Sequence, residues 1–373
     1  RELPIWITAA GNPQTFRRAG AMGLNVLTHL LGQSLEALAD KIAAYREAWR
    51  AAGHAGQGTV TLMLHTFVGD DVQKVRETVR EPFRQYLSSA ADLTVHSLGR
   101  VDNQGGELLT DGALLLTSAT LDNRQQGNIS AKGAVNVTTG AFDNSQKGRL
   151  NSGGTLNLVA GQVTNQDGGR IGSQGALTAS VTGLDQQGGQ LFSNTSLSLD
   201  LHNGQLNNQG GLINAPGTLL LKNLNGVNNQ GGEISSAQAF TLAAQNFTND
   251  SGKLLSSQSL TLRIAQALNN VKGLIGAASV DVTAASLDNT SGVMTSRSDL
   301  DLAITGQLVN RDGGLLNASQ RLKLDGASLD NRGGQLLAGG HLALTTTGNL
   351  NNDGKGLINS LDSLTLTTAQ LRN

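Results

Sequence analysis

The sequence predicts a mainly β protein, a right-handed parallel β-helix of about 13 coils preceded by an incomplete α/β segment. The first observation is the uneven composition of the 373-residue chain, in which both Trp, both Tyr and three of the four Pro lie in residues 1–92. The second is a polar side chain that recurs at nearly constant spacing from residue 103 onward. A periodic segment poor in aromatic residues indicates stacked repeats, because each repeat buries its apolar surface on its neighbours.

The recurring side chain is an amide, and nine of its thirteen intervals are 21 residues long, the others being 19, 20, 20 and 22. A chain that returns to the same place in a stack keeps such a count, so we expect one coil per interval. Stacked amides donate to one neighbouring coil and accept from the other, which predicts a structural ladder. Gln186 keeps the amide on a longer arm, and we expect a locally adjusted corner there. The predicted ladder comprises Asn103, Asn123, Asn144, Asn165, Asn208, Asn229, Asn249, Asn270, Asn289, Asn310, Asn331 and Asn352, and Asn373 ends the series.

The residue pattern within each interval is typical of short strands separated by corners. In Leu342-Ala343-Leu344 the apolar residues alternate, which is typical of a strand with one buried face. Pairs such as Gly333-Gly334 indicate a corner, because Gly adopts positive φ at little steric cost. We therefore expect about three short strands per coil, an aliphatic core, and a rod of roughly 60 Å from coils about 4.8 Å apart.

The repeated units 101–106 (Val-Asp-Asn-Gln-Gly-Gly) and 329–334 (Leu-Asp-Asn-Arg-Gly-Gly) resemble the haemagglutinin repeats of filamentous haemagglutinins and of contact-dependent inhibition exoproteins. The resemblance covers about residues 93–373. It implies a β-helical stalk that is exported by two-partner secretion through an outer-membrane transporter and displayed at the bacterial cell surface. The implied partners are a cell-surface receptor or a neighbouring cell.

Composition limits the kinds of partner and the kinds of site that the repeats are expected to have. A net charge of −1 gives no electrostatic argument for a nucleic-acid partner, and we expect none. The absence of cysteine excludes a disulfide scaffold and thiolate metal chemistry. The Asp before a ladder residue, as in Asp102 and Asp330, could bind calcium or cap the corner. The nine-residue pattern of calcium-binding β-rolls does not occur, so capping is favoured, and we expect no catalytic residue and no metal site.

Residues 1–92 show a different pattern, in which strands alternate with helices. Strands are expected at 3–8, 25–29 and 59–68, and helices after Asn12-Pro13, from Ser34 to Ala52 and from Asp71 to about Leu87. Asn at the cap and Pro in the first turn are favourable for a helix start. This alternation predicts βα units around a parallel sheet.

The runs 3–23, 25–32 and 59–81 are similar to the C-terminal part of luciferase-like, flavin-dependent monooxygenases, which are TIM barrels. The resemblance implies a cytoplasmic parent protein that binds FMN, with Gly11 and Asn12 holding the flavin phosphate at a helix N-terminus. Pro13 offers no N–H there. The segment supplies about three of eight βα units, so we expect no monooxygenase activity from it alone.

The two segments meet near residues 91–93, and Leu93-Thr94-Val95 already matches half a repeat coil. No linker or capping segment separates them, and we hypothesise a chimeric sequence joined at this point. The chain starts at Arg1 and stops at Asn373 within the repeat pattern, so we also expect a fragment. The functional prediction is a structural and adhesive stalk. The alternative is an FMN-dependent monooxygenase of which a C-terminal fragment is present.

Overall fold

The computed structural model describes residues 3–30, 33–64, 66–88 and 92–373. The backbone divides into two compact units, Arg1–Arg84 and Gln85–Asn373. The predicted boundary between residues 92 and 93 and the proposed join lie beside residues 89–91, which are outside the described residues.

The first unit consists of βα units around a small parallel sheet. Its strands are β1 (Trp6–Thr8), β2 (Asn25–His29) and β3 (Val60–Met63), and its helices are α1 (Pro13–Ala21), α2 (Leu35–Ala51) and α3 (Val72–Ser88). The strands are parallel in the order β1-β2-β3, as the alternation predicts. The predicted bounds of the first and third strands are too long, because pairing with β2 begins at Trp6 and ends at Met63.

Side-chain caps fix where the helices of this unit begin. The Asn12 Oδ1 accepts a hydrogen bond from the Gln14 N–H at 2.9 Å, and the Ser34 Oγ accepts one from the Ala37 N–H at 3.2 Å. Both residues are extended caps that satisfy otherwise unpaired N–H groups. The buried core of this unit contains Phe16, Ala19, Val26, Leu38, Tyr45 and Trp49.

The second unit is a parallel β-helix with two long ladders of strands, which we name sheet 1 and sheet 2. Sheet 1 has thirteen short strands, one per coil, which confirms the predicted number of coils. The strands of sheet 1 are Glu107–Thr110, Asn128–Ala131, Arg149–Ser152, Arg170–Ser173, Gln190–Ser193, Leu212–Ala215, Glu233–Ser236, Lys253–Ser256, Leu274–Ala277, Val293–Ser296, Leu315–Ala318, Gln335–Ala338 and Leu357–Ser360.

Sheet 2 carries the rest of each coil. Its strands are Leu93–His96, Arg100–Asp102, Leu114–Asp122, Val135–Asp143, Leu156–Ala160, Gln162–Thr164, Leu177–Ser180, Gly183–Asp185, Leu197–Asn207, Leu219–Asn228, Phe240–Ala244, Asn246–Thr248, Ser259–Asn269, Ser279–Asp288, Leu300–Val309, Leu322–Asp330, His341–Thr346, Asn349–Asn351, Ser363–Thr367 and Gln370–Arg372. Neighbouring coils pair in parallel, as in Leu156 with Leu177.

The predicted three separate strands per coil are present in only some of the coils. In several coils the second and third strands are merged into one strand of nine to eleven residues, such as Ser259–Asn269. This strand bends between Ile264 and Ala267, where its register with the next coil shifts. A bulge turns the chain without ending the strand, so the corner leaves no break in the pairing.

The core of the β-helix is aliphatic, as the composition predicts. The inward positions of successive strands form columns, and the column that passes through Leu262 and Leu302 is almost entirely buried. Phe142, Phe240 and Phe247 are the large aromatic members of this core. Because each apolar side chain packs on its equivalents in the coils above and below, the interior needs few aromatic residues. No helix in the described part of the chain is long and apolar enough to cross a membrane.

Candidate functional site

The most distinctive internal feature of the β-helix is a continuous ladder of buried amides. The Nδ2 of each ladder residue donates to the Oδ1 of its equivalent one coil further on, for example Asn249 to Asn270 and Asn270 to Asn289, both at 2.7 Å. The ladder runs from Asn103 to Asn373 without a gap. Through most of its length these side chains have no exposed surface.

Each amide also holds its own corner and the next one. The Asn270 Nδ2 lies 3.2 Å from the Gly273 carbonyl oxygen of its own corner and 3.3 Å from the Val293 carbonyl oxygen of the following coil. The Asn270 backbone N–H donates to the Asp288 carbonyl oxygen at 2.7 Å. The amide thus satisfies carbonyl groups at a corner where the strand ladders stop, and so ties neighbouring coils together.

The corner glycines have two separate roles, and the sequence pattern indicates only one of them. The first Gly of a pair, such as Gly210 or Gly333, has positive φ, as predicted. In other coils a non-Gly residue takes this conformation, for example Lys272 with φ of 56°. The second Gly, such as Gly334, does not have positive φ. A Cβ on Gly334 would overlap the Asn310 carbonyl oxygen and come within 2.7 Å of the Asn331 Oδ1. Lack of space next to the ladder therefore requires the second Gly.

The Asp before a ladder residue caps its corner through an Asx turn. The Asp102 Oδ1 accepts from the Gln104 N–H at 3.1 Å, and the Asp288 Oδ1 accepts from the Thr290 N–H at 2.9 Å. Asn228 makes the same bond in its coil, which explains why Asp and Asn exchange at this position. No group of His, Asp and Glu suited to hold a metal ion is found among the described residues.

Asp122 differs from the other corner Asp residues described above because its carboxylate has three side-chain hydrogen-bond partners. Its Oδ2 lies 2.7 Å from the Arg100 Nη2, the Arg124 Nη2 and the Gln104 Nε2. Hydrogen bonding to Arg124, acting against desolvation, lowers the pKa of the Asp122 carboxyl from 3.8 to about 2. A similar bond from Arg332 lowers the pKa of Asp330. These pairs reinforce the outer surface of the corner.

In the first unit, Gly11 and Asn12 lie in the loop between β1 and α1, where the resemblance implies a phosphate site. In the first helical turn, the N–H groups that a phosphate would need are occupied or missing. The Gln14 N–H is bound to the Asn12 side chain at 2.9 Å, the Thr15 N–H is bound to the Asn12 carbonyl at 3.2 Å, and Pro13 has no N–H. A phosphate at a helix N-terminus needs free N–H groups, so we derive no flavin chemistry from this loop. The role of Gly11 and Asn12 stays a prediction.

Two polar residues beside this loop have no signal in the sequence. The Lys41 Nζ on α2 donates to the Ala10 carbonyl oxygen at 3.2 Å and to the Gln33 Oε1 at 2.7 Å. The Gln33 Nε2 lies 3.2 Å from the Thr28 Oγ1 at the end of β2. Lys41 thus joins the ends of two parallel strands, and only the fold reveals this.

The in-register coils and the buried amide ladder define a parallel β-helical repeat protein. The family model described as the haemagglutinin repeat matches residues 84–178, 158–244, 196–271, 244–312 and 299–373, and the chain therefore belongs to this family. The model described as the luciferase-like monooxygenase matches residues 1–129. A comparison with curated proteins finds no match.

The two family matches confirm that the chain combines two kinds of sequence, and they overlap over residues 84–129. In part of this overlap the structure follows the repeat. The strand Leu93–His96 pairs in parallel with the coil that begins at Leu114, and Glu107–Thr110 is the first strand of sheet 1. Residues 93–129 are therefore folded as β-helix.

The two glycine roles can be separated by substitution. Gly334→Ala should lower the free energy of unfolding by about 3 kcal/mol or more, because the new Cβ overlaps backbone of the neighbouring coil. Gly210→Ala should cost about 1 to 2 kcal/mol, the ordinary cost of a left-handed Ala, because its Cβ would lie in open space. Urea unfolding followed by circular dichroism measures both. Equal costs would contradict the close-approach role of Gly334.

Lowering the pH should weaken the cluster that Asp122 forms with Arg100, Gln104 and Arg124. Since folding lowers the pKa of Asp122 to about 2, its contribution to stability is present above about pH 4 and is lost as the pH falls toward 2. The difference in melting temperature between the parent chain and Asp122→Asn should therefore be largest near pH 7 and shrink between pH 4 and pH 2. A difference that stays constant over that range would show that the charge of Asp122 has no role.

Proposed function

We propose that the repeat region is the structural and adhesive stalk of a secreted bacterial surface exoprotein, either a filamentous haemagglutinin-like adhesin or a contact-dependent inhibition effector. It presents a binding or toxin module at a distance from the cell surface. Its partners are a receptor or a neighbouring cell, and an outer-membrane two-partner secretion transporter exports it. The observation that carries the proposal is the unbroken amide ladder between in-register sheets.

A ladder of this kind suits a stalk because it resists both sliding and opening of the coils. Sliding by one residue would turn the buried side chains of each strand outward. Opening between two coils would leave an amide and several corner carbonyls without partners, each costing about 1 to 3 kcal/mol. Outward strand positions such as Asn157 and Thr178 are polar, whereas Leu115 and Leu220 in the same column are exposed and apolar. Both kinds of side chain are accessible for contact.

The spacer role can be tested by distance measurements, because the chain contains no cysteine. Ser130 and Asn317 occupy equivalent outward positions of sheet 1, separated by nine coil steps. Spin labels on Ser130→Cys and Asn317→Cys should give a narrow distance near 43 Å, from about 4.8 Å per coil. Labels on Ser130→Cys and Asn214→Cys, four steps apart, should give roughly 19 Å. Broad distributions, or distances that do not scale with the number of coils, would contradict a rigid spacer.

The adhesive role needs a cellular measurement. Fluorescently labelled full chain should bind epithelial cells or neighbouring bacteria saturably, and unlabelled chain should displace it. Gly334→Ala, which disturbs the coils, serves as the folding control and should bind less. Non-saturable retention that is equal for both chains would count against adhesion by the repeats and leave only the spacer role.

The second candidate is an FMN-dependent luciferase-like monooxygenase, which the match over residues 1–129 favours. Titration of the full chain with FMN, followed by flavin fluorescence, distinguishes this candidate. The occupied N–H groups after Asn12 predict no quenching at micromolar protein. Saturable quenching that Lys41→Ala reduces would support a flavin site and revive the second candidate.

A further inference from the structure

We propose that the coil of residues 166–186 is a breakpoint, at which the β-helix separates into two cooperatively folding blocks, residues 93–165 and 187–373. In a stack of repeats, stability is set by the contacts between neighbours, so the weakest coil decides where the stack opens. Three independent features of the structure coincide at or beside this coil. The inference goes beyond the stalk function, because it concerns where the stalk fails.

The first feature is the ladder itself. The Asn165 Nδ2 lies 3.3 Å from the Gln186 Oε1, and the Gln186 Nε2 lies 3.0 Å from the Asn208 Oδ1. All other bonds of the ladder are 2.7 or 2.8 Å. Gln186 is fully buried, and its extra rotatable bond must be fixed to make a longer hydrogen bond. The amide-to-amide bonds of the ladder are therefore longest on the two sides of this coil, although the Gln186 Nε2 also donates to the Leu212 carbonyl oxygen at 2.8 Å.

The second feature is the core column that contains Ala179. Ala179 is paired with Leu158 on one side and with Leu199 on the other, and it is buried. The other members of this column between residues 116 and 344 are Leu or Val: Leu116, Val137, Leu158, Leu199, Leu221, Leu242, Leu262, Val282, Leu302, Leu324 and Leu344. Ala supplies less apolar surface than Leu or Val to both neighbours in this column, although the same coil buries Val181 two residues further on. The packing of this column is therefore reduced locally.

The third feature is an irregular strand in the following coil. The strand Leu197–Asn207 shifts register twice against its neighbour, between Asp200 and Gly204 and between Gly204 and Leu206. Other irregular strands of sheet 2 shift once. At this point His202 and Asn203 both have positive φ, of 49° and 67°. Consecutive left-handed non-Gly residues carry backbone strain, and the pairs Gln125–Gln126 and Gln146–Lys147 share it in turns between strands. His202 and Asn203 differ because they lie within a strand, at the point where its register shifts.

Hydrogen–deuterium exchange of the full chain, read by mass spectrometry, tests the proposal. Amides of residues 170–185 should exchange about tenfold or more faster than those of equivalent strands at 128–143 and 253–269. Equal protection across these interior coils, or a minimum in another interior coil, would overturn the breakpoint.

Two variants test which of these features causes the faster exchange of this coil. Ala179→Leu restores the column and should slow exchange at 170–185 by about tenfold. Asn249→Gln transfers the longer arm to a regular coil, where the Asn249 Nδ2 now lies 2.7 Å from the Asn270 Oδ1, and should speed exchange around residues 240–249. If Ala179→Leu fails to fold, the parent profile and Asn249→Gln still decide. Unchanged exchange in Asn249→Gln would show that the amide arm does not weaken a coil.

Discussion

The structure of the repeat region depends on one constraint, that a buried amide must meet its equivalent one coil away. The donor and acceptor of an Asn side chain are nearly saturated in this arrangement, since Nδ2 serves the next amide and corner carbonyls while Oδ1 accepts from the previous coil. A coil that is much longer or shorter would move its amide out of reach. This requirement explains the nearly constant interval along more than two hundred residues.

Other features of the corner follow from the same constraint. The chain passes so close to the amide that the position after the turn tolerates no Cβ, as at Gly334. The Asx turn formed by Asp288 or Asn228 caps the backbone of the corner beside the amide. The turn position between them varies, and Lys272 or Ser291 adopts the left-handed conformation there in place of Gly. Thus the composition is rich in Gly and Asn for reasons of geometry, and the core can remain aliphatic.

Much of this arrangement could be predicted from the sequence, because periodicity directly reports stacking. The spacing of Asn103 to Asn373 gave the coil count and the amide ladder, and the cap at Asn12 gave the start of α1. Other features could not be predicted. The second Gly role depends on the distance between two chains that are far apart in sequence, as for Gly334 and Asn310. The merging of strands depends on whether a bulge or a break turns the corner, and the contacts of Lys41 require the ends of β1 and β2 to be side by side.

The most direct measurement of the central claim compares two Asn→Asp variants by urea unfolding at pH 7. Asn270→Asp keeps the size of the side chain but removes the donor and places a charge beside carbonyl oxygens in the interior. Asn246→Asp makes the same change at an exposed amide that bonds Gln266. The account predicts that Asn270→Asp loses about 3 kcal/mol or more and Asn246→Asp less than about 1 kcal/mol. Equal losses in the two variants would contradict the ladder as the constraint that organises the fold.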